Sequence, residues 1–99
     1  MLEVYIHPAA YKEMEVSFNW YEEKAENLGK DFFREIKKAI ENIKTSPKVF
    51  PKYLDIKGLR RFLLHRFPFA IIYRIKNGII QVIAIMHLKR KPYYWKDRL

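Results

Sequence analysis

The chain has 99 residues, of which 49% are hydrophobic and 31% charged, with a formal net charge of +9 and no cysteine. This length predicts one domain over residues 1–99, and the apolar content excludes intrinsic disorder. The lack of cysteine excludes disulfides, thiolate metal sites and a cysteine nucleophile. The sequence has neither the apolar length of a membrane span nor the pattern of a signal peptide, so we expect a cytoplasmic protein without a membrane partner.

The first half of the chain predicts one strand followed by two helices. Residues 2–7 are apolar and β-prone, and Pro8 ends this strand and suits the first turn of a helix. From Ala9 the apolar residues recur every three to four positions, which predicts a helix that ends at Leu28, with Gly29 as a left-handed C-cap. A second helix with the same periodicity ends before Pro47, and two helices joined by so short a turn form an antiparallel hairpin.

The second half predicts three strands after a loop that contains two prolines, at about residues 59–66, 69–76 and 79–87. The dipeptide Asn77-Gly78 between the last two strands indicates a type I′ hairpin turn, because both central residues of that turn need positive φ. A two-residue turn fixes the register, which predicts Ile72 opposite Ile83 and places Arg74 and His87 on the same face of the sheet.

Both faces of the predicted hairpin are apolar in the middle, whereas two helices on one side can cover only one of them. The second face therefore needs a cover from the C-terminal tail, from self-association or from a protein partner. One interpretation is that Phe50, Tyr53 and residues 93–95 fold back over this face. The other is that the face is a surface to which a partner binds.

The charge is unevenly placed along the chain. Residues 1–46 hold seven Lys/Arg and nine Asp/Glu, a net charge of −2, whereas residues 47–99 hold thirteen Lys/Arg and two Asp/Glu, a net charge of +11. Such a positive field attracts polyanions, which include nucleic acid, the ribosome and acidic proteins. The alternative interpretation is a solvated surface that keeps the protein soluble.

Few residues have the arrangement that chemistry requires. The three histidines lack the spacing of a metal site, and there is no Gly-rich phosphate loop or Ser–His–Asp arrangement, so we expect no metal and no small-molecule cofactor. Lys and Arg near a histidine can stabilise the charge that develops when a 2′-hydroxyl attacks a phosphodiester. The residues that suit such a site are His87, Arg66 and Arg74. A structural role is the competing interpretation for each of them.

Several segments are specific enough to suggest a family. They are His7-Pro8-Ala9-Ala10, the run Arg66-Phe67-Pro68-Phe69-Ala70-Ile71-Ile72-Tyr73-Arg74, and the closing set His87, Arg90, Pro92, Trp95 and Arg98. Together they resemble the RelE/ParE superfamily of toxins from type II toxin–antitoxin systems, which includes plasmid stabilisation proteins, over nearly the whole chain. The resemblance implies an α+β fold with the order β-α-α-β-β-β, in which a helical hairpin packs on one face of an antiparallel sheet.

The resemblance also implies a growth-inhibiting toxin directed either at DNA gyrase or at mRNA in the ribosome. Nucleases of this superfamily carry an arginine three residues before the tyrosine that matches Tyr73, and this chain has Ala70 there, which favours gyrase inhibition. The alternative is a metal-independent, ribosome-dependent mRNA endonuclease that uses His87, Arg66, Arg74, Arg90 and Tyr94 around the phosphate. A third hypothesis is an inactive toxin or a basic nucleic-acid-binding module.

A cognate antitoxin is the partner that the resemblance implies. An acidic or amphipathic antitoxin tail on the sheet would cover the surplus apolar surface and balance the positive charge. The contacts predicted for it lie on the last three strands and the C-terminal tail: Arg60, Arg61, Ile72, Ile83, Ile85, Lys89 and Trp95.

Overall fold

A computed structural model describes residues 1–99, and the order of its elements is the predicted one. These elements are β1 (Glu3–Ile6), α1 (Pro8–Lys24), α2 (Leu28–Thr45), β2 (Arg60–Leu63), β3 (Phe69–Lys76), β4 (Ile79–His87) and a short 3-10 helix (Lys96–Arg98). The predicted α+β fold with the order β-α-α-β-β-β is confirmed. No helix is both long and apolar enough to cross a lipid bilayer.

The four strands form one sheet in the order β1-β4-β3-β2. The pairs β2–β3 and β3–β4 are antiparallel, as the family resemblance implies, whereas β1 runs parallel to β4, with Val4 opposite Ile80. A parallel pair needs a long crossover connection, and the helical hairpin with β2 and β3 provides one between β1 and β4. The sheet is therefore antiparallel except at the edge where β1 lies.

The register predicted from Asn77-Gly78 is correct for the four residue pairs nearest the turn and wrong beyond them. Past these pairs the register shifts by one residue, so that Ile72 lies opposite Ala84 instead of Ile83. The cause is a β-bulge, in which one strand of a pair carries an extra residue. A two-residue turn fixes the register only up to the first such irregularity.

The bulge reverses the faces of the last residues of β4, because successive side chains of a strand point to opposite faces. His87 consequently contacts Phe69, with ring centroids 5.0 Å apart, on the face that the helices cover. Arg74 lies on the opposite face, next to Gln81. The prediction that Arg74 and His87 share a face of the sheet is therefore wrong.

Each face of the sheet has its own buried apolar cluster. On the helix face, Phe32, Ile36 and Ile43 of α2 pack with side chains from α1 and all three antiparallel strands. On the other face, which we call the tail face, the buried cluster consists of Tyr53, Leu59, Ala70, Ile72, Ile83, Ala84, Met86 and Trp95. The chain thus covers its own second apolar face, mainly by folding back Tyr53 and Trp95. Phe50 does not join this cover, since it packs on Phe62 in the helix-face cluster.

The connection between the helices also differs from the predicted one. Helix α1 ends at Lys24, and the left-handed residue of the connection is Asn27, with φ 65°, rather than Gly29. Gly29 is instead the second residue of α2 and is buried, and a Cβ on it would lie 2.5 Å from the carbonyl oxygen of Phe18. The glycine is needed there because the two helices approach each other too closely for any side chain.

We expect Gly29→Ala to lower the free energy of unfolding by about 2 kcal/mol, because the added methyl group overpacks the contact between the helices. The backbone amide of Gly29 also donates to Glu22 Oε2 at 2.8 Å, so the helices cannot move apart without weakening this bond. Urea denaturation measures the change. Lys30→Ala, at the next and exposed position of α2, is the control and should change stability by less than about 0.5 kcal/mol. Equal stability of the two variants would contradict the close approach.

Candidate functional site

The predicted nuclease residues lie in four separate places. Arg66 lies in the turn between β2 and β3, Arg74 lies on the tail face near the β3–β4 turn, and His87 ends β4 on the helix face. Arg90 and Tyr94 lie together in the C-terminal tail, where the Arg90 guanidinium stacks 3.5 Å from the centre of the Tyr94 ring. No side-chain hydrogen bond or ion pair joins one of these places to another, although the Arg90 backbone amide donates to the His87 carbonyl at 3.0 Å. No group of His, Asp and Glu side chains is arranged to hold a metal ion.

The Arg90–Tyr94 pair is organised by Glu13 of α1, which was not among the predicted residues. The Glu13 carboxylate accepts four hydrogen bonds: from the Tyr94 hydroxyl at 2.8 Å, from the Ile85 amide at 3.0 Å, and from both terminal nitrogens of Arg98 at 3.0 and 3.1 Å. Arg90 Nη1 lies 3.7 Å from the same carboxylate. Glu13 therefore joins the first helix, the last strand and the C-terminal tail.

Glu13 and Arg98 also complete the edge of the sheet. Strand β1 pairs with β4 only as far as Val82, so the outer edge of β4 has no strand neighbour beyond that residue. At this edge the Ile85 amide donates to Glu13, and the Ile83 carbonyl accepts from Arg98 Nη1 at 3.1 Å. Two side chains thus satisfy backbone groups that a further strand would otherwise pair, which protects an open edge from other chains.

The environment of Tyr94 keeps its phenol neutral. Burial raises the pKa of Tyr94, and its hydrogen bond to Glu13 and the charge of that carboxylate raise it further, against the opposing charges of Arg90 and Arg98. The hydroxyl is consequently a permanent hydrogen-bond donor at neutral pH. In this arrangement Tyr94 anchors the tail and cannot take up a proton as a general base.

Burial raises the pKa of two further tyrosines. It raises the pKa of Tyr73 to about 12, with the nearby charge of Arg60 acting in the opposite direction, and the Tyr73 hydroxyl donates to the Pro47 carbonyl at 2.6 Å. Burial also raises the pKa of Tyr21. These phenols are neutral at physiological pH, and Tyr73 fixes the loop that follows α2 to the sheet.

His87 lies in an apolar groove at the end of the sheet. The groove, of about 460 Å³, runs between α1 and the ends of β3 and β4 and is lined by Val16, Ser17, Trp20, Tyr21, Pro68, Phe69 and His87. We call it the Trp20 groove, because Trp20 is 53% exposed there. The His87 Nδ1 atom accepts from the Lys89 amide at 3.0 Å, which leaves the proton of the neutral ring on Nε2. No Lys or Arg is among the residues that line this groove.

The predicted antitoxin contacts divide into buried and accessible residues. Ile72, Ile83, Ile85 and Trp95 are each at most 2% exposed, because the protein's own side chains cover them. Ile85 also lies in the helix-face cluster, as a result of the bulge. These four residues are therefore not accessible in this conformation, and their contact with an antitoxin stays a prediction. The accessible residues of the set are Arg60, Arg61 and Lys89.

Comparisons with known proteins agree with this architecture. The profile of the family described as ParE toxin of type II toxin-antitoxin system, parDE, matches residues 4–92. Among solved structures, a chain of the chromosomal ParDE TA system from P. aeruginosa is similar with a TM-score of 0.67 and 18% sequence identity, over 90% of this chain and 98% of that chain. At that identity the likeness establishes the shared fold. No curated protein matches the sequence.

Proposed function

The chain belongs to the ParE toxin family of type II toxin–antitoxin systems, and from this premise we propose that it arrests growth by inhibiting DNA gyrase and is neutralised by a cognate antitoxin. The observation that carries the proposal is the family match over residues 4–92, which includes the helical hairpin, strands β2 to β4 and all of β1 except Glu3. The net charge of +11 over residues 47–99 supports it, because that half of the chain attracts an acidic antitoxin or a target that holds DNA.

The separation of the candidate residues favours gyrase inhibition over mRNA cleavage. Cleavage through a 2′-hydroxyl needs a base, an acid and stabilising cations within hydrogen-bond reach of one phosphate. His87 and Arg74 lie on opposite faces of the sheet, and Glu13 already engages Tyr94. At the position where the family's nucleases have an arginine, Ala70 is fully buried. The separation of Arg74 from His87 and the burial of Ala70 thus support the gyrase proposal over the nuclease alternative.

The Trp20 groove is the surface that we propose for the antitoxin. An exposed apolar patch on a folded domain commonly marks an interaction site, and Trp20 and Val16 are each more than half exposed. The Lys24 ammonium lies 4.7 Å from the centre of the Trp20 ring, so the patch also has a positive rim. An amphipathic segment with apolar side chains and flanking carboxylates fits such a surface. Lys89 follows the end of β4 next to His87 and stays a proposed contact, as do Arg60 and Arg61.

We expect Trp20→Ala to weaken antitoxin binding about 30-fold or more, because a tryptophan at the centre of an interface commonly contributes 2 kcal/mol or more. Isothermal titration calorimetry with the purified antitoxin measures the change. Tyr11→Ala is the control, since Tyr11 is an equally exposed aromatic residue of α1 outside the groove. A loss of affinity in the Tyr11 variant alone would place the antitoxin on another face of the helices.

The proposed activity is tested by inducing the protein in cells with and without the antitoxin. Gyrase inhibition predicts relaxed plasmid DNA, intact transcripts and rescue by the antitoxin. It also predicts that His87→Ala leaves toxicity unchanged, because His87 takes no part in that mechanism. Codon-linked cuts in mRNA with normal supercoiling, abolished by His87→Ala, would instead establish the nuclease. The absence of any growth defect would contradict both activities.

A further inference from the structure

A cavity with a strongly basic lining lies on the tail face, at the end of the sheet that carries the β3–β4 turn. Its volume is about 300 Å³, and no Asp or Glu side chain lines it. The polar side chains around it belong to Tyr5, His7, Arg74, Lys76, Gln81 and Arg98. The lining also includes Leu99, the residue that bears the α-carboxylate. We call it the basic cavity. It lies apart from the Trp20 groove, with which it shares no residue.

The strand register brings these side chains together. Tyr5 of β1 lies opposite Gln81 of β4, and Gln81 lies opposite Arg74 of β3, so the three residues form one row across the sheet. Lys76 lies two residues after Arg74 and therefore points to the same face. His7 follows β1 directly, at the start of α1. Because this row lies between the turn and the bulge, the tight turn fixes its register.

Several side chains in the basic cavity have free hydrogen-bond donors. Arg74 Nε donates to Gln81 Oε1 at 2.9 Å. This hydrogen bond engages the amide oxygen of Gln81 and orients the Arg74 guanidinium, whose two terminal nitrogens stay free. His7 Nδ1 accepts from the Ala9 amide at 3.0 Å, so the neutral ring carries its proton on Nε2. Lys76 is exposed, and neither Arg74 nor Lys76 forms a salt bridge.

Two further charged residues, Arg98 and Glu3, lie in or near the basic cavity. The charge of Arg98 is balanced by Glu13 at 3.0 Å, so the uncompensated cations of the cavity are Arg74 and Lys76. Glu3 is the acidic residue of β1 on this face, opposite Ile79 and two strands away from Lys76. The cavity therefore combines an oriented guanidinium, an unpaired ammonium and an imidazole N–H.

We propose that the basic cavity binds a phosphate group of a nucleic-acid backbone. A guanidinium held in place offers parallel N–H donors that match phosphate oxygens, and a lysine adds a point charge. Lys76, Arg74 and Arg61 occupy successive rows of the tail face, and rows on one face of a sheet are roughly 7 Å apart. Cations repeated along a surface suit the repeated charges of a polynucleotide better than a single small anion.

The first experiment titrates the purified protein with inorganic phosphate and follows the His7 and Arg74 side chains by NMR. The expected result is a saturable shift of the His7 Nε2 and Arg74 guanidinium signals, and at least tenfold weaker binding for Arg74→Gln. Lys30→Gln, an exposed lysine of α2, removes the same charge and should bind phosphate like the unchanged protein. The absence of saturable shifts, or an equal loss in Lys30→Gln, would overturn the site.

The second experiment measures the binding of a fluorescent single-stranded and a duplex oligonucleotide by anisotropy at several salt concentrations. The double change Arg74→Gln with Lys76→Gln should weaken binding at least tenfold and lower the salt slope by about 2, because each phosphate contact contributes about 1. The matched control is Lys30→Gln with Lys37→Gln on α2, which should change binding less than about twofold. If the double variant does not fold, Lys76→Gln alone provides the test, since this exposed side chain forms no salt bridge within the protein.

Two outcomes would overturn the assignment to nucleic acid. If phosphate binds but the two double variants bind the oligonucleotides equally well, the ligand is free phosphate or a small phosphorylated molecule. If a glutamate-rich peptide displaces phosphate more effectively than either oligonucleotide, the cavity serves an acidic protein partner. Preferential displacement by an oligonucleotide supports the proposal.

Discussion

Glu13→Ala is expected to lower the free energy of unfolding by about 3 kcal/mol. Removal of one partner of a largely buried ion pair leaves the other charge poorly hydrated, and Arg98 is only 17% exposed. The change also removes the acceptor for the Ile85 amide at the open edge of β4 and for the Tyr94 hydroxyl. The C-terminal tail should therefore detach from α1 and become a target for proteases before the rest of the domain unfolds.

Urea denaturation and limited proteolysis measure these two effects. Glu15→Ala is the matched control, because Glu15 lies on the same helix and pairs with Lys12 at 3.1 Å in an exposed position. Its loss should change stability by less than about 0.5 kcal/mol, as is usual for exposed pairs. Glu13→Gln should fall between the two, since an amide keeps an acceptor for the Ile85 amide but loses the charge. An equal effect of Glu13→Ala and Glu15→Ala would disprove the organising role of Glu13.

Trp95→Ala is expected to lower the free energy of unfolding by about 4 kcal/mol. The Trp95 side chain is fully buried, and its ring lies 6.3 Å from that of Tyr53 over the tail face. Its removal leaves a large cavity and uncovers Ile72 and Ile83. The indole N–H has no hydrogen-bond partner, so Trp95→Phe loses no such bond and should cost less than about 1.5 kcal/mol.

The natural control for Trp95 is the second tryptophan of the chain. Trp20→Ala removes the same side chain from a half-exposed position and should lower stability by less than about 1 kcal/mol. Thermal unfolding followed by circular dichroism compares the variants. Replacement of Trp95 should thus lower stability, whereas replacement of Trp20 should weaken antitoxin binding. Similar melting temperatures for the two alanine variants would show that the tail does not form part of the core.

The sequence was sufficient for the elements of the fold but not for all of their pairing. Apolar periodicity and the Asn77-Gly78 turn predict both helices and the β3–β4 hairpin, because these depend on contacts between near neighbours. The bulge opposite Ile72 and the parallel pairing of β1 depend on residues distant in the sequence, so no local pattern indicates them. The burial of Trp95 was one of two alternatives that composition left open, and packing decides between them.

The candidate site was predicted less completely than the fold. His87 and Arg74 were assigned to one face because a single inserted residue in β4 was not visible in the sequence. Glu13 was missed, although a local signal exists: it lies three residues after the buried Ala10 and one before the buried Met14, on the apolar side of α1. An acid in such a position requires a partner, and here the partners lie more than 70 residues away along the chain.

Inhibition of purified DNA gyrase is the measurement that tests the proposed function most directly. A relaxed plasmid, ATP and gyrase are incubated with increasing amounts of the purified protein, with and without an equimolar amount of its antitoxin. We predict that the supercoiling activity of gyrase is lost as the concentration of the protein approaches that of gyrase, and that the antitoxin restores this activity. Full supercoiling in the presence of excess protein, together with cleavage of mRNA on isolated ribosomes, would contradict this prediction.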